Sequence, residues 1–326
     1  MGWWVAMEED YPKTLAELDE KLGTESACRD YLFKLRWPNG FVCPRCKGGA
    51  AWTTNRNLFV CGRCEYQASL TAGTIFQDTR KPLTLWFRAI WWVTAQKNGA
   101  SALGLQRILG LRSYTTAWTW LHKVRRAMVR PGREQLSGHV EVDETYVGGL
   151  EEGVRGRRTE TKALVVIACE ENGKGIGRIR LRQIDNASGV CLHAFIKEAI
   201  QTGSLIHTDG WEGYRGIEAN GYRHEVTVVR RSKQSVTELL PRVHLVAALL
   251  KRWLLGTHQG AVSPEHLDYY LDEFTFRFNR RRSRSRGKLF YRLLQQATAV
   301  EPAPYKAIVG GTWAKSAGLP TATGVN

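Results

Sequence analysis

The stretch His139-Val-Glu-Val-Asp-Glu-Thr-Tyr-Val-Gly-Gly149 decides how the rest of the chain is interpreted. It alternates apolar and polar residues with the period of a β-strand, so its first two valines face one side of a sheet while Glu141 and Asp143 face the other. A second segment, Ser204-Leu-Ile-His-Thr-Asp-Gly210, ends in the same way. Carboxylates at the ends of two strands of one sheet offer converging oxygen ligands. We therefore expect Asp143 and Asp209 to hold a divalent metal ion.

The composition favours a polyanionic partner. The 326 residues exceed a typical single domain, and 47 Lys and Arg against 31 Asp and Glu give a formal net charge of +16. Nucleic acid is the first candidate and an anionic membrane the second. We recognise no signal peptide and no transmembrane span, because the most apolar run, 83–95, is short and contains Arg88. A cytoplasmic protein without a membrane partner is expected.

Four of the seven cysteines form two CxxC pairs. Cys43-Pro-Arg-Cys46 and Cys61-Gly-Arg-Cys64 each place two thiolates on one tight turn, and two such turns complete a tetrahedron around one Zn²⁺ ion. The polar, Gly-containing residues between the pairs suit a β-hairpin. The range 40–80 is therefore predicted to be a zinc ribbon with a structural ion, and a redox role is the alternative for a single CxxC pair.

Helical periodicity flanks the zinc ribbon, with a helical lead-in over 1–39 and a helical region over 81–133. Within the second region, a helix at 101–109, a Gly-containing turn and a helix at 113–129 give the order of a helix-turn-helix. In that interpretation, hydroxyl side chains lie near base edges and basic side chains near phosphates. The former are Thr115, Thr116 and Thr119, and the latter are Arg112, Lys123, Arg125 and Arg126. An ordinary helical hairpin is the alternative.

Strand and helix signals alternate over 134–300. Three successive strands followed by helices and further strands, the last at 225–229, predict a mixed α/β sheet. A helix at 242–256 places His244 and Lys251 on one face, two turns apart. A basic run that contains Arg280, Arg281 and Arg282 is expected to lie along a DNA backbone. The remaining residues, 301–326, are predicted to be a disordered tail.

Four motifs in this order resemble the ISXO2-like insertion-sequence transposases. They are the strand quoted first, His207-Thr-Asp-Gly-Trp-Glu-Gly-Tyr214, Lys251-Arg-Trp-Leu-Leu-Gly-Thr-His-Gln-Gly260 and Tyr270-Leu-Asp-Glu-Phe-Thr-Phe-Arg-Phe-Asn-Arg-Arg281. The likeness covers about 30–298 and includes the zinc ribbon that this family carries in front.

The resemblance implies an RNase H-like catalytic fold of the DDE-transposase kind. Such enzymes cut double-stranded DNA at the terminal inverted repeats of their element and join the freed ends to target DNA, with Mg²⁺ or Mn²⁺ as the metal. On matching positions, Asp143 and Asp209 are the first two metal ligands, His244 is the third, and Lys251 is the basic residue that accompanies it. Glu273 is the alternative third ligand. A histidine at this position departs from the three-carboxylate pattern. We also expect a homo-oligomer on DNA.

Two other functions stay open on the sequence. One is a DNA-binding protein without catalysis, which is either a zinc-ribbon regulator or a decayed transposase. The other is a general nuclease on the same fold, which would cut without preference for element ends. The intact set of catalytic-type residues favours the transposase over both.

Overall fold

The computed structural model describes residues 9–130, 132–149, 161–227, 239–260 and 262–310. The chain divides into two compact units. The first, called here the N-terminal unit, comprises Met1–Pro131 and Ser283–Val309. The second, called the sheet unit, is built on Gly132–Arg282. Among the described helices, none combines the length and apolar character needed to cross a membrane.

The N-terminal unit combines seven described helices with a small antiparallel sheet. The helices are α1 (Leu15–Leu22), α2 (Glu25–Arg36), α3 (Leu83–Ala95), α4 (Ala102–Leu109), α5 (Tyr114–Ala127), α9 (Arg286–Ala299) and α10 (Tyr305–Val309). The strands are β1 (Ala51–Thr53), β2 (Leu58–Cys61) and β3 (Gln67–Ser69), paired in that order. The first two strands form the hairpin predicted between the CxxC pairs.

Aromatic side chains fill the core of this unit. Trp86 of α3 stacks on Trp120 of α5 with ring centroids 3.9 Å apart. Phe290 of α9 meets Phe87 and Trp91 of α3 edge to face, at 5.9 and 5.5 Å. Each ring buries a large apolar area, so these contacts join helices that are far apart in the sequence.

The C-terminal boundary of the predicted α/β domain is therefore wrong. We expected that domain to reach residue 300, but α9 packs against α2, α3 and α5. Its apolar face is covered by the aromatic core of the N-terminal unit. The expected tail also begins too early, because α10 is helical and Ile308 is fully buried. The rest of that tail, 311–326, lies outside the described residues.

The helix-turn-helix order is present in the N-terminal unit. Helix α4 ends at Gly110, whose φ of 61° is the left-handed conformation that suits glycine at a helix end. Helix α5 then begins after Ser113. Both helices agree with their predicted positions to within two residues.

The sheet unit is a five-stranded mixed sheet between helices. Its strands are β4 (His139–Val147), β5 (Ala163–Asn172), β6 (Gly175–Ile184), β7 (Leu205–Thr208) and β8 (Arg223–Val226), in the order β6-β5-β4-β7-β8. The first three strands along the chain are antiparallel, whereas β7 and β8 run parallel to β4. This is the mixed sheet expected of an RNase H-like domain. The last strand begins two residues earlier than predicted, and Val229 lies outside the described residues.

Helices cover both faces of this sheet. Helices α7 (Pro241–His258) and α8 (Leu267–Asn279) pack on one face, and α6 (Gly189–Ala199) packs on the other. Val140 and Val142 of β4 belong to the core on the α6 side. The intervening residues Glu141 and Asp143 therefore point towards α7, as the period-two pattern predicted.

Candidate metal centres and DNA-contact residues

The two CxxC turns of the zinc ribbon have the same backbone geometry. In the first turn the N–H of Lys47 donates to Cys43 O at 3.0 Å, and in the second the N–H of Glu65 donates to Cys61 O at 2.9 Å. Both donors adopt the left-handed conformation, with φ of 62° and 58°. Each turn thus presents two sulfur atoms towards the same point.

The four sulfur atoms fit a zinc ion. Cys43 and Cys64 Sγ lie 3.7 Å apart, Cys46 and Cys61 Sγ lie 3.5 Å apart, and all four lie within 4.8 Å of one another. A tetrahedron with Zn–S bonds of about 2.3 Å has edges of roughly 3.8 Å. The spacing therefore suits a single structural Zn²⁺ ion.

A local hydrogen bond favours the thiolate form of Cys61, which is the form that zinc requires. The N–H of Arg63 donates to Cys61 Sγ at 3.4 Å. This bond is the main cause that lowers the pKa of Cys61 to about 6. By contrast, burial raises the pKa of Cys28, which lies away from the ribbon, to about 12. Cys28 is a small side chain buried in the N-terminal unit.

The register of the large sheet brings the two predicted aspartates together. Strands β4 and β7 are parallel neighbours, with His139 opposite Leu205 and Glu141 opposite His207. The pairing ends at this residue pair, and β7 ends at Thr208, so Asp209 directly follows the strand that neighbours Asp143 on β4. Asp209 lies close enough to His244 of α7 for its charge to act on the imidazole, which puts it on the side of the sheet that Asp143 faces.

Glu141 fixes the start of α7 above this face. Its side chain is only 2% exposed, and its Oε2 accepts from the N–H groups of Arg242 and Val243 at 2.8 and 3.0 Å. Its Oε1 accepts from the guanidinium of Arg242 at 2.7 Å. A carboxylate at a helix N-terminus satisfies N–H groups that have no partner within the helix. The sequence did not distinguish this anchoring role from a catalytic one.

The next residue of that helical turn, His244, faces Asp143. The Nε2 atom of His244 lies 3.7 Å from Asp143 Oδ2. This nitrogen atom is buried and makes no hydrogen bond to a described residue. Burial lowers the pKa of His244, while Glu141 and Asp209 oppose that shift. The imidazole is therefore neutral at pH 7, which is the form that binds metal. A buried ring nitrogen without a hydrogen bond to a described residue, 3.7 Å from the Asp143 carboxylate, suits a divalent ion.

Lys251 lies two helical turns beyond His244, about 10 Å along α7. Its side chain is exposed, and partial burial together with the neighbouring Lys162 lowers its pKa. Two ammonium groups near each other form a positive site, which suits a phosphate group.

The opposite face of β4 holds a second carboxylate that the sequence analysis left unassigned. Tyr214 is fully buried and donates to Glu144 Oε2 at 2.7 Å. Burial and the charges of Glu144 and Asp143 raise the pKa of Tyr214 well above its usual range. On the loop after β7, Asp209 Oδ1 accepts from the N–H of Trp211 at 2.9 Å. These bonds orient the strand ends that carry the aspartates.

Glu273, the alternative third ligand, is occupied elsewhere. It is 1% exposed, and its Oε1 accepts from the guanidinium of Arg277 at 2.7 Å, one helical turn away on α8. Helix α8 packs on β6, the edge strand, whereas Asp143 lies on the central strand β4. The structure therefore brings His244 rather than Glu273 to Asp143.

The predicted DNA-contact residues of the helix-turn-helix divide into exposed and buried groups. Arg112 and Thr115 are exposed and Thr116 is partly exposed, while the hydroxyl of Thr119 donates to Thr115 O at 2.7 Å. The expectation for Arg125 is wrong, because it is 1% exposed. It follows Leu121 by one helical turn and lies on the apolar side of α5.

The basic side chains further along α5 are also partly covered. Lys123 Nζ donates to Gln77 O at 3.4 Å, and Arg126 is half-buried. Burial lowers the pKa of Lys123. Among the predicted contacts, the fully exposed positive charge is therefore Arg112, in the turn before α5, and the basic residues along the helix are covered at least in part.

The basic run after α8 contains both anchoring and exposed side chains. Arg280 stacks over the ring of Phe276 at 4.1 Å. The guanidinium of Arg281 donates to Gly177 O at 3.3 Å and also to Ile176 O, both on β6. Arg281 therefore stabilises a sheet edge, whereas Arg282 is exposed.

Family comparisons agree with this architecture. Residues 135–279 match the ISXO2-like transposase domain, and residues 23–67 match the transposase zinc-ribbon domain. The chain carries an ISXO2-like transposase domain. The range of the transposase domain includes Asp143, Asp209 and His244, and the zinc-ribbon match includes all four CxxC cysteines. The expected family resemblance is confirmed.

A relative from Halobacterium salinarum (strain ATCC 700922 / JCM 11081 / NRC-1) also resembles the chain. It is described as an uncharacterized protein in transposable element ISH50. The two proteins are 26% identical over 278 residues, which cover 78% of this chain and 90% of the relative. The similarity therefore extends over nearly all of that transposon-borne protein.

Solved structures similar to the chain include complexes of the Mos1 transposase. The Mos1 strand transfer complex has 12% identity and a TM-score of 0.28, over 72% of this chain and 81% of that one. The Mos1 paired-end complex with Mn has 10% identity and a TM-score of 0.26, over 69% and 78%. The fold assignment rests on the strand order and directions of the sheet rather than on these values.

Proposed function

We propose that this transposase binds the terminal inverted repeats of its element and carries out metal-dependent DNA cleavage and strand transfer. The observation that supports this most directly is the position of His244 Nε2, 3.7 Å from Asp143 on the central strand. Asp209 directly follows β7, the parallel neighbour of the strand that carries Asp143. A protein that only binds DNA has no need of this arrangement.

In this proposal, Asp143, Asp209 and His244 hold divalent ions, Mg²⁺ or Mn²⁺. When bound, such ions activate the attacking water or 3′-hydroxyl and stabilise the leaving oxygen. Asp143 lies between the other two ligands, because His244 faces it from α7 and Asp209 lies beside it on the next strand. Lys251 binds a phosphate group near the cleaved bond, where its charge and that of Lys162 favour an anion.

The DNA contacts follow from the exposed positive charge. We assign Arg112 and Thr115, at the start of the second helix of the helix-turn-helix, to the element end. Arg282 and the following exposed arginines bind the phosphate backbone, so affinity falls as salt rises. Because its substrate is cellular DNA, we place the protein in the cytoplasm, and we expect a homo-oligomer to bring two ends together.

A cleavage and joining assay tests this proposal. The substrate is DNA that carries the repeats flanking the gene, with Mg²⁺ or Mn²⁺ present. We expect Asp143→Asn and His244→Ala to bind this DNA with unchanged affinity but to lose cleavage and joining. Asp185→Asn is the matched control, because Asp185 is exposed and lies outside the site.

Two results contradict the proposal. If folded Asp143→Asn still cleaves, Asp143 does not hold the metal. If the wild type binds the repeats in either metal without cleaving them, the protein is a DNA-binding protein rather than an active transposase. Cleavage of repeat-free DNA at the same rate indicates a general nuclease.

A further inference from the structure

Three polar side chains meet on adjacent parallel strands next to the proposed catalytic site. His139 of β4, His207 of β7 and Glu225 of β8 place one nitrogen or oxygen atom each within 4.8 Å of one another. His207 is opposite Glu225 in the register of β7 and β8. It is also opposite Glu141, which lies two residues from His139 on the same face of β4.

His139 is oriented as a metal-binding histidine would be. Its Nδ1 pairs with the carboxylate of Glu171 on β5. Its Nε2 is buried, makes no hydrogen bond to a described residue, and lies 3.8 Å from Glu225 Oε2. A carboxylate that holds one ring nitrogen fixes the tautomer and leaves the other nitrogen for a metal ion.

His207 has a comparable arrangement. Its Nε2 lies 2.7 Å from Thr227 Oγ1, which orients the ring. Its ring lies against that of His139, with centroids 5.7 Å apart. Two imidazoles in this position repel each other when both are protonated, whereas a bound cation between their nitrogens is stabilised by both.

We propose that His139, His207 and Glu225 form a second zinc site, separate from the zinc ribbon. Two imidazoles and one carboxylate are a ligand set that suits Zn²⁺ better than Mg²⁺. Zinc bonds of about 2.0–2.2 Å require ligand atoms roughly 3.3–3.5 Å apart. The 3.8 Å between His139 and Glu225 shortens to this by a small rotation of Glu225. Its side chain is 52% exposed, so an ion can enter and keep one water ligand.

This site is distinct from the set that contains Asp143. His207 precedes Asp209 by two residues, which is about 6.6 Å along a strand. The two sites therefore share a sheet face but not a ligand. An ion bound to His139, His207 and Glu225 would join β4, β7 and β8, and so hold in register the strands that carry both aspartates.

Zinc binding to the full-length protein tests this inference without a measurement of activity. The protein is equilibrated with micromolar free Zn²⁺ in a metal buffer, and bound zinc per chain is measured by elemental analysis. We expect the wild type to bind one ion more than His207→Ala and His139→Ala. Because an alanine variant can misfold, Glu225→Gln is included, and we expect its affinity for this ion to fall at least tenfold.

Two controls locate the ion. His266→Ala removes a histidine from an exposed turn and should keep the full zinc content. Asp143→Asn removes a ligand of the proposed catalytic site and should also keep it. The melting temperature should rise with added Zn²⁺ in the wild type and in both controls, but less in Glu225→Gln.

The alternative is a metal-free network in which a protonated His139 pairs with Glu171 and Glu225. If the wild type binds only the zinc of the ribbon, that network is correct and the inference is overturned. It is also overturned if Asp143→Asn loses the additional ion while Glu225→Gln keeps it at unchanged affinity. The ion then belongs to the catalytic set.

Discussion

Replacing Glu141 with glutamine tests whether this buried carboxylate positions helix α7. Glu141 accepts two N–H groups of the first turn of α7 and one guanidinium N–H of Arg242. Glutamine has nearly the same shape but only one acceptor oxygen and no charge. Its NH₂ group must therefore face either the two helix N–H groups or the guanidinium, and donors are left unpaired in both cases.

The expected cost follows from these contacts. Removing one partner of a buried ion pair costs about 3–5 kcal/mol, and each unsatisfied buried donor about 1–3 kcal/mol. Arg242 keeps a second partner in Glu171, which is 29% exposed, so its charge is not left unpaired. We therefore expect Glu141→Gln to lower the free energy of unfolding by about 2–4 kcal/mol. A typical domain of about 5–15 kcal/mol stays folded after this loss.

Urea denaturation and hydrogen exchange by mass spectrometry measure the effect. Exchange of the first amides of α7 should accelerate by about 30- to 700-fold if the loss is local, since about 1.4 kcal/mol corresponds to a tenfold change. The matched control is Glu171→Gln, which affects the same arginine at a more exposed site and should cost about 1 kcal/mol or less. The reasoning is refuted if Glu141→Gln costs less than about 1 kcal/mol, or if both variants cost the same.

Two further predictions concern the cores of the two units. Trp86→Ala should lower the free energy of unfolding by about 3–5 kcal/mol, because Trp86 is fully buried against Trp120. The control Trp52→Ala, at a 55% exposed position, should change it by about 0.5 kcal/mol or less. Equal effects of the two substitutions in urea denaturation would contradict this packing. Burial raises the pKa of Asp268 in the folded state above its ordinary value of 3.8. Ionisation of Asp268 therefore destabilises the folded state as pH rises from 3.8 through the raised pKa. Asp268→Asn should therefore have a higher urea midpoint than the wild type at pH 7 and a smaller gain at pH 4; no gain at pH 7 would show that the carboxylate is not destabilised by burial.

The sequence predicted the parts of the site that depend on short-range patterns. The CxxC turns are local structures, so their spacing was sufficient to predict the ribbon. Asp209 follows β7 as expected, whereas Asp143 lies within β4, which continues to Val147 instead of ending at the aspartate; the two strands are parallel neighbours. Alternation along β4 therefore predicted that Asp143 faces away from the core that contains Val140 and Val142.

The contacts that depend on packing between distant segments were not predictable in this way. Helical periodicity shows that α9 has an apolar face, but it does not show which unit covers that face or that Phe290 meets α3. A charge at Arg125 suggested exposure, although the residue lies in a buried stripe. His139 and His207 gave a signal that was overlooked. The register of β4 and β7 pairs Glu141 with His207, and His139 lies two residues before Glu141 on the same face of β4, so the two histidines are neighbours.

The return of α9 to the N-terminal unit has a consequence for the synthesis of the protein. The helix that completes the aromatic core is translated only after the whole of Gly132–Arg282. Until then, the rings of α3 that meet Phe290 remain uncovered. A frameshift or stop codon after residue 282 would therefore damage the unit that carries the zinc ribbon while sparing the unit that carries the aspartates.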